Sequence, residues 1–408
     1  MPDNLPGNPT DKLHDLLNRH VDAGTMPGAV GTIGQHYAPV AVGLDAPGGA
    51  PLRTDAIFRI QSMTKTVTAV AALSLVEDGA LALNDPIATW LPELAEPRVL
   101  VHPDAPLAET TPAVRPITLR HLLTNQSGYG VAVTDSPWRR AMVEAGVEAG
   151  PEPVDLAAQD WLDALSSLPL AFQPGEGWRY HHSFGLLGIL LGRVTDRSTA
   201  EVLREKVFDP AGMPDTGFTV PRDQAHRLPA AFRHAVADSE QVGAEKIGVE
   251  QDGAERSGFD HTEPAGEGFY VEPAPFDVSH SELVSTVADY HAFLQSLLEG
   301  QLLSGELRDE LRSDHIDDAA KTPDSFFPGF WENTGWGYGV SVVTGGRHRG
   351  RFGWSGGLGT DYFVDPDGSI SIVMTQVEMG EQIATLFGDL QELTSEGRPG
   401  QRAGDYRD

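Results

Sequence analysis

Phe58-Arg59-Ile60-Gln61-Ser62-Met63-Thr64-Lys65 runs directly into Thr66-Val67-Thr68-Ala69-Val70-Ala71-Ala72-Leu73-Ser74-Leu75-Val76. The first part reads as a short strand over 56–60. The second is an apolar, Ala-rich run that reads as a helix, with Gly79 able to end it. Ser62 and Lys65 lie three residues apart at the start of that helix, so they share one face. A serine hydroxyl is a poor nucleophile at neutral pH and needs a base beside it. A lysine in a partly desolvated pocket has a lowered pKa and can be that base. The helix N-terminus also favours negative charge developing on the serine oxygen. In isolation the same residues read better as a helix cap with a solvated lysine nearby. The reading therefore depends on whether the rest of the chain supplies the other parts of an acyl-transfer site.

The chain has 408 residues, of which 40% are hydrophobic, enough for a large core in two or three domains or one domain with an insertion. It has no cysteine, which excludes disulfides, thiolate metal sites and thiol nucleophiles. No apolar run reaches the roughly 20 residues of a membrane span. The first residues, MPDNLPGNPTDKLHDLLNRH, lack the basic and apolar regions of a secretory signal, so the expected location is cytoplasmic. Acids outnumber bases 59 to 29, for a formal charge of −30. Such a surface repels nucleic acid and anionic membranes, so neither is an expected partner. Solubility explains it, and so does adaptation to high salt. The lysines are only Lys12, Lys65, Lys206, Lys246 and Lys321, which makes Lys65 less plausible as a spare surface charge.

Outward from this stretch, 11–23 has the Leu and Val spacing of a helix, with Thr10 as N-cap and Gly24 as stop. Segments 28–34 and 38–44 read as strands. From 86 to about 330 the pattern is helical with long loops, with helices expected at 117–125, 155–167, 184–196, 198–207 and 284–299. Segment 237–268 is acidic, Gly-rich and poor in large apolar residues, and reads as an exposed loop. Beyond 335 come strand-like runs at 339–343, 349–354, 361–365 and 370–374, with Asp367-Gly368 as a hairpin signal. A helix over 381–394 and a polar tail from Ser395 close the chain. The layout predicts an α+β fold. One antiparallel sheet is built from both ends of the chain (10–85 with 335–394), a mainly helical region (86–334) is inserted, and 395–408 forms a flexible tail.

Two further segments carry chemistry. Tyr180 stands just before an apolar helix, in Trp178-Arg179-Tyr180-His181-His182-Ser183-Phe184. Near a lysine ammonium its phenol would become more acidic and able to relay a proton, although a packed aromatic is the plainer reading. Gly353-Trp354-Ser355-Gly356-Gly357 lies near a strand end, where glycines permit close backbone approach and a free N–H could donate to an oxyanion. This segment also matches G-x-S-x-G, the nucleophile elbow of α/β-hydrolases. The elbow needs a helix after the serine and a histidine later in the chain. Here strand and turn follow Ser355, and the last histidine is His348. The elbow reading fails on both counts. No metal-binding histidine pattern, G-x-G-x-x-G or P-loop is present, so neither metal nor cofactor is expected.

Taken together, these motifs resemble the serine β-lactamase-like hydrolases, and within them the class C β-lactamase-related (family VIII) carboxylesterases and related acyltransferases. The resemblance spans about 10–394. Ser62-Met63-Thr64-Lys65 matches the family's Ser-x-x-Lys element. Ile117-Thr118-Leu119-Arg120-His121-Leu122-Leu123-Thr124-Asn125-Gln126-Ser127-Gly128 resembles its helix and Ser-Gly turn. Tyr180 matches its catalytic tyrosine, followed by Leu187-Gly188, and Pro210-Ala211-Gly212-Met213 resembles its Pro-x-Gly-Met turn. The fold implied is that of β-lactamases and penicillin-binding-protein transpeptidases, an antiparallel sheet flanked by helices.

There are two departures. Where β-lactamases have asparagine two residues after the tyrosine, this chain has His182. Their Lys-Thr-Gly is Trp354-Ser355-Gly356 here, a substrate-binding strand without its cation. An anionic β-lactam would lose a charge-assisted contact of about 1.5–3 kcal/mol. Tryptophan favours a neutral, apolar group instead. The resemblance thus implies an esterase (EC 3.1.1 type) in which Ser62 attacks a small-molecule ester. Lys65 and Tyr180 exchange the proton, and the backbone N–H groups of Ser62 and Gly357 form the oxyanion hole. Tyr129, Trp138, Phe327, Phe330, Trp331 and Trp336 either line an acyl pocket or pack in the core. A β-lactamase, a D-amino-acid amidase or peptidase, and a catalytically inactive binding homologue remain the alternatives.

Overall fold

The computed structural model describes residues 8–150, 154–235, 258–271 and 281–395. Its centre is a seven-stranded antiparallel sheet. The strands are β1 (Gly28–Gly34), β2 (Val40–Gly43), β3 (Thr334–Trp336), β4 (Ser341–Val343), β5 (Phe352–Gly356), β6 (Thr360–Val364) and β7 (Ile370–Met374). Their order across the sheet is β2-β1-β7-β6-β5-β4-β3. Both ends of the chain therefore contribute, joined where Val30 of β1 faces Met374 of β7.

The strands alternate as a sheet covered on both faces requires. Val373 and Phe363 face one side, and Ile372, Met374, Tyr362 and Val364 face the other. On the first side lie α1 (Pro9–Asp22) and a C-terminal helix, Glu381–Leu393. Leu13, Leu16 and Leu17 of α1 meet Ile383, Leu386 and Leu390 there. On the second side lies α2 (Thr64–Glu77). Every residue of α2 from Thr64 to Leu73 is buried. A helix apolar all round belongs inside the protein, here between the sheet and α3 (His182–Thr195). The threonines of α2 are tolerated there because they are bonded. Thr66 Oγ1 reaches Gly339 O at 3.1 Å and Tyr362 Oη at 2.7 Å, and Thr68 Oγ1 reaches Thr64 O at 3.1 Å.

Several elements differ from the sequence reading. Of 237–268, the described part holds a strand, Phe259–Glu263, paired with Ala231–His234, and the rest lies outside the described residues. Phe259 and Phe232 pack there against the α1 side, an apolar pair that the acidic composition hides. The helix expected over 198–207 is an α-helical turn, Thr199–Leu203, continued by a π-helical turn, Arg204–Phe208. Within 284–299, Val284–Ser285 is a strand and only Val287–Glu299 is helical, with Thr286 as its cap. Helices Pro137–Glu144 and Gly305–Leu311 and strand β3 were not anticipated. No helix among the described residues is long and apolar enough to cross a membrane.

Candidate active site

The chain reaches Ser62 through the two-residue strand Phe58–Arg59 and a 3-10 turn, Gln61–Met63, before α2 begins. Gln61 has a φ of 49°, in the left-handed region that a side chain seldom occupies. Such a conformation costs on the order of 1–3 kcal/mol and persists only where its surroundings hold it. Here β5 holds it. Thr360 Oγ1 donates to Ile60 O at 3.1 Å. A Cβ on Gly356 would stand 2.3 Å from the same carbonyl, so only glycine lets the end of β5 lie against the turn. Gly357 follows at once, which brings its backbone beside Gln61.

Lys65 Nζ lies 2.9 Å from Ser62 Oγ, as their common helix face predicts. The lysine is 0% exposed. Burial favours the neutral amine and lowers its pKa to about 7, against the opposing pull of Glu282. Tyr180 is carried by the stretch that leads into α3, and His181 after it has a φ of 96°, a second strained residue at the site. The Ser62 hydroxyl acts on the phenol to lower its pKa, and Lys65 Nζ stands 4.6 Å from the centre of the phenol ring. The tyrosine is not made more acidic, contrary to the expectation from a nearby ammonium. Its burial raises the pKa, and the influence of the Ser62 hydroxyl and of Trp354 offsets this only in part. At neutral pH the phenol therefore keeps its proton.

Trp354 plays a part that was not foreseen. Its indole N–H donates to Tyr180 Oη at 2.6 Å, so it touches the tyrosine as a hydrogen-bond donor as well as an apolar wall. Register explains why Trp354 alone of its motif faces this side. It pairs with Tyr362, which belongs to the α2 layer. Ser355 pairs with Asp361, and its hydroxyl donates to Asp361 Oδ1 at 2.7 Å on the other side of the strand. Gly356 acts through its missing side chain.

The aromatic residues divide clearly. Tyr129 and Trp138 belong to the main core, where Tyr129 Oη donates to Leu168 O at 3.1 Å and Trp138 Nε1 to Pro169 O at 2.8 Å. Trp336, Phe330 and Trp331 surround Tyr180 together with Trp178 and Phe326. Phe327 packs on Phe326 at 4.8 Å and is 54% exposed. An aromatic wall thus runs from the tyrosine to the surface. His182 is buried too, with Nε2 donating to Val147 O at 2.7 Å and its ring stacked on Trp161. Burial lowers its pKa to about 4, so it is neutral at ordinary pH.

The model for the Beta-lactamase family matches residues 13–382 of this chain. The chain belongs to the beta-lactamase family. Protein Rv1367c of Mycobacterium tuberculosis is 34% identical over 391 residues, covering 91% of this chain and 89% of that protein. Esterase EstB of Burkholderia gladioli is 28% identical over 387 residues, covering 89% of each. Among solved structures, EstCE1, a hydrolase with promiscuous acyltransferase activity, superposes with a TM-score of 0.74 at 21% identity, covering 95% of this chain and 98% of that one. The fold is therefore the β-lactamase and penicillin-binding-protein fold expected from the motifs, with the antiparallel sheet and its helices in place.

Proposed function

We propose that this protein is a serine carboxylesterase that works through an acyl-enzyme on Ser62. The observation that carries the proposal is the short contact from Lys65 Nζ to Ser62 Oγ (2.9 Å), with Lys65 Nζ 4.6 Å from the Tyr180 ring and Trp354 Nε1 2.6 Å from Tyr180 Oη. A neutral Lys65 takes the proton of Ser62 as Oγ attacks the ester carbonyl. The backbone N–H groups of Ser62 and Gly357 hold the oxyanion, at the place where Gly356 lets β5 meet the nucleophile turn. Lys65 and Tyr180 return a proton to the departing alcohol. Water then resolves the acyl-enzyme, or a second alcohol does so in an acyl transfer.

Trp354 favours esters over β-lactams. It occupies the position of a substrate-binding cation with a neutral indole, and its donor is already bonded to Tyr180. The name of the relative EstB agrees with this preference. The test is p-nitrophenyl acetate hydrolysis beside nitrocefin and a D-amino-acid amide. Ester turnover should dominate. Ser62→Ala should lower it by about 10³-fold or more and abolish the acyl adduct seen on Ser62 by mass spectrometry. Undiminished turnover by Ser62→Ala, or an adduct on Ser355, would overturn the proposal.

A further inference from the structure

Strand Phe58–Arg59 pairs antiparallel with Val284–Ser285, Phe58 facing Ser285 and Arg59 facing Val284. The ladder continues one step, because Ile60 N–H donates to Leu283 O at 3.0 Å. Glu282 adjoins Leu283 on this paired segment, where the chain opposite turns into Gln61 and Ser62. The segment is pinned on the far side of Ser62 as well. Leu283 N–H donates to Thr64 Oγ1 at 3.2 Å, and Tyr290 Oη donates to Met63 O at 3.0 Å.

Glu282 is thus a carboxylate held beside the nucleophile turn, and it is only 6% exposed. A buried charge is retained where it meets an opposite charge and hydrogen bonds. Ser281 N–H donates to Glu282 Oε2 at 2.7 Å. The cation that feels the carboxylate is Lys65. Arg59, the other buried cation nearby, is directed to Pro229 O, Pro264 O and Gln376 Oε1. Among the described residues, four further groups bear on this pair. Tyr180 and Tyr270 are neutral phenols, His182 is a neutral imidazole, and Glu263 lies 3.9 Å from Arg59.

We propose that Glu282 is a positioning residue for the general base: its buried carboxylate is the counter-charge against which Lys65 takes up the proton of Ser62. The proposal rests on the ester-cleaving reading above. In the acylation step the Ser62 O–H bond breaks and the proton passes to Lys65 Nζ while Oγ bonds to the carbonyl carbon. The bond from that carbon to the alcohol oxygen then breaks, and the alcohol leaves with a proton. Between these events an ammonium stands in a site closed to water, where an uncompensated charge is expensive. Glu282 makes the lysine a stronger base than burial alone would leave it.

The experiment compares the pH dependence of kcat/KM for p-nitrophenyl acetate in the full-length protein and in Glu282→Gln. The rate of Ser62 labelling by a fluorophosphonate is followed across the same pH range. Removing the negative charge lowers the lysine pKa, so the acid limb of both profiles moves to lower pH, by about one unit. The weaker base lowers the plateau about three- to tenfold, with little change in KM. Glu282→Asp, which keeps the charge but withdraws it by one methylene, moves the limb the same way by less and carries the test if Glu282→Gln does not fold. A plateau that falls while the limb stays in place in both variants means a packing role and overturns the proposal. A wild-type protein that neither hydrolyses any ester nor labels at Ser62 overturns the ester reading instead, and the two failures are distinct.

Discussion

Two kinds of interior meet at Ser62. Around Lys65 it is aliphatic and hydroxylic, built by α2 with the sheet and α3. Around Tyr180 it is aromatic, built by Trp178, Phe326, Phe330, Trp331, Trp336 and Trp354. Both exclude water, and exclusion of water favours the neutral form of any acid or base. For the amine that means a lowered pKa, and for the phenol a raised one. One physical cause thus makes Lys65 available as a base and keeps Tyr180 protonated. Trp354 then holds the phenol in place.

The sharpest way to break this comparison is to fix the charge on the aliphatic side. Lys65→Arg cannot deprotonate near neutrality and should lose about 10³-fold or more of ester turnover, measured as kcat/KM. Lys65→Met should lose as much activity yet unfold at a higher temperature at pH 7. The folded pKa of Lys65, about 7, lies below its ordinary 10.5. Its burial penalty is therefore full below pH 7, fades as pH rises through that window, and vanishes above the ordinary value. The stabilisation by Lys65→Met should shrink in the same window, as thermal melts across pH would record. A Tm gain independent of pH would mean that the lysine is not desolvated as described.

On the aromatic side the effects are smaller. Trp354→Phe keeps the ring and removes the donor to Tyr180, a bond of about 1–1.5 kcal/mol, so kcat should fall about tenfold with KM nearly unchanged. An unchanged kcat would show that the indole N–H contributes nothing to the tyrosine. Phe327→Ala, at the exposed end of the wall, should leave stability and methyl-ester turnover alone and raise KM for aryl esters about two- to threefold. Equal effects on methyl and aryl esters would mean that the wall does not receive the substrate.

The legible parts of this protein were those whose signals are local. Ser62 and Lys65 are three apart where a 3-10 turn runs into α2, α2 is a continuous apolar run, and β1, β6 and β7 alternate between two covered faces, so spacing alone places them. Gly356 was readable as a point of close approach, although the approaching atom, Ile60 O, was not. The middle of the chain was read less well because its elements are short and their partners distant. Strand Phe259–Glu263 makes sense only beside Ala231–His234, and β3 only beside β4. Ser355 and Trp354 are neighbours in sequence, yet register sends one to Asp361 and the other to Tyr180.

The sequence by itself determined the proposed nucleophile and base, the tyrosine and the lack of a cation at 354, because each is a matter of residue identity at a spacing that local geometry preserves. Only the tertiary structure decided which way the pKa of Tyr180 moves, which aromatics surround it, and that Glu282 is buried next to Leu283, whose N–H reaches Thr64. Those facts depend on how completely water is excluded and on which distant segments do the excluding. Trp178, Tyr180, Phe326, Phe330, Trp331, Trp336 and Trp354, scattered over the chain, form one cluster only in the folded protein.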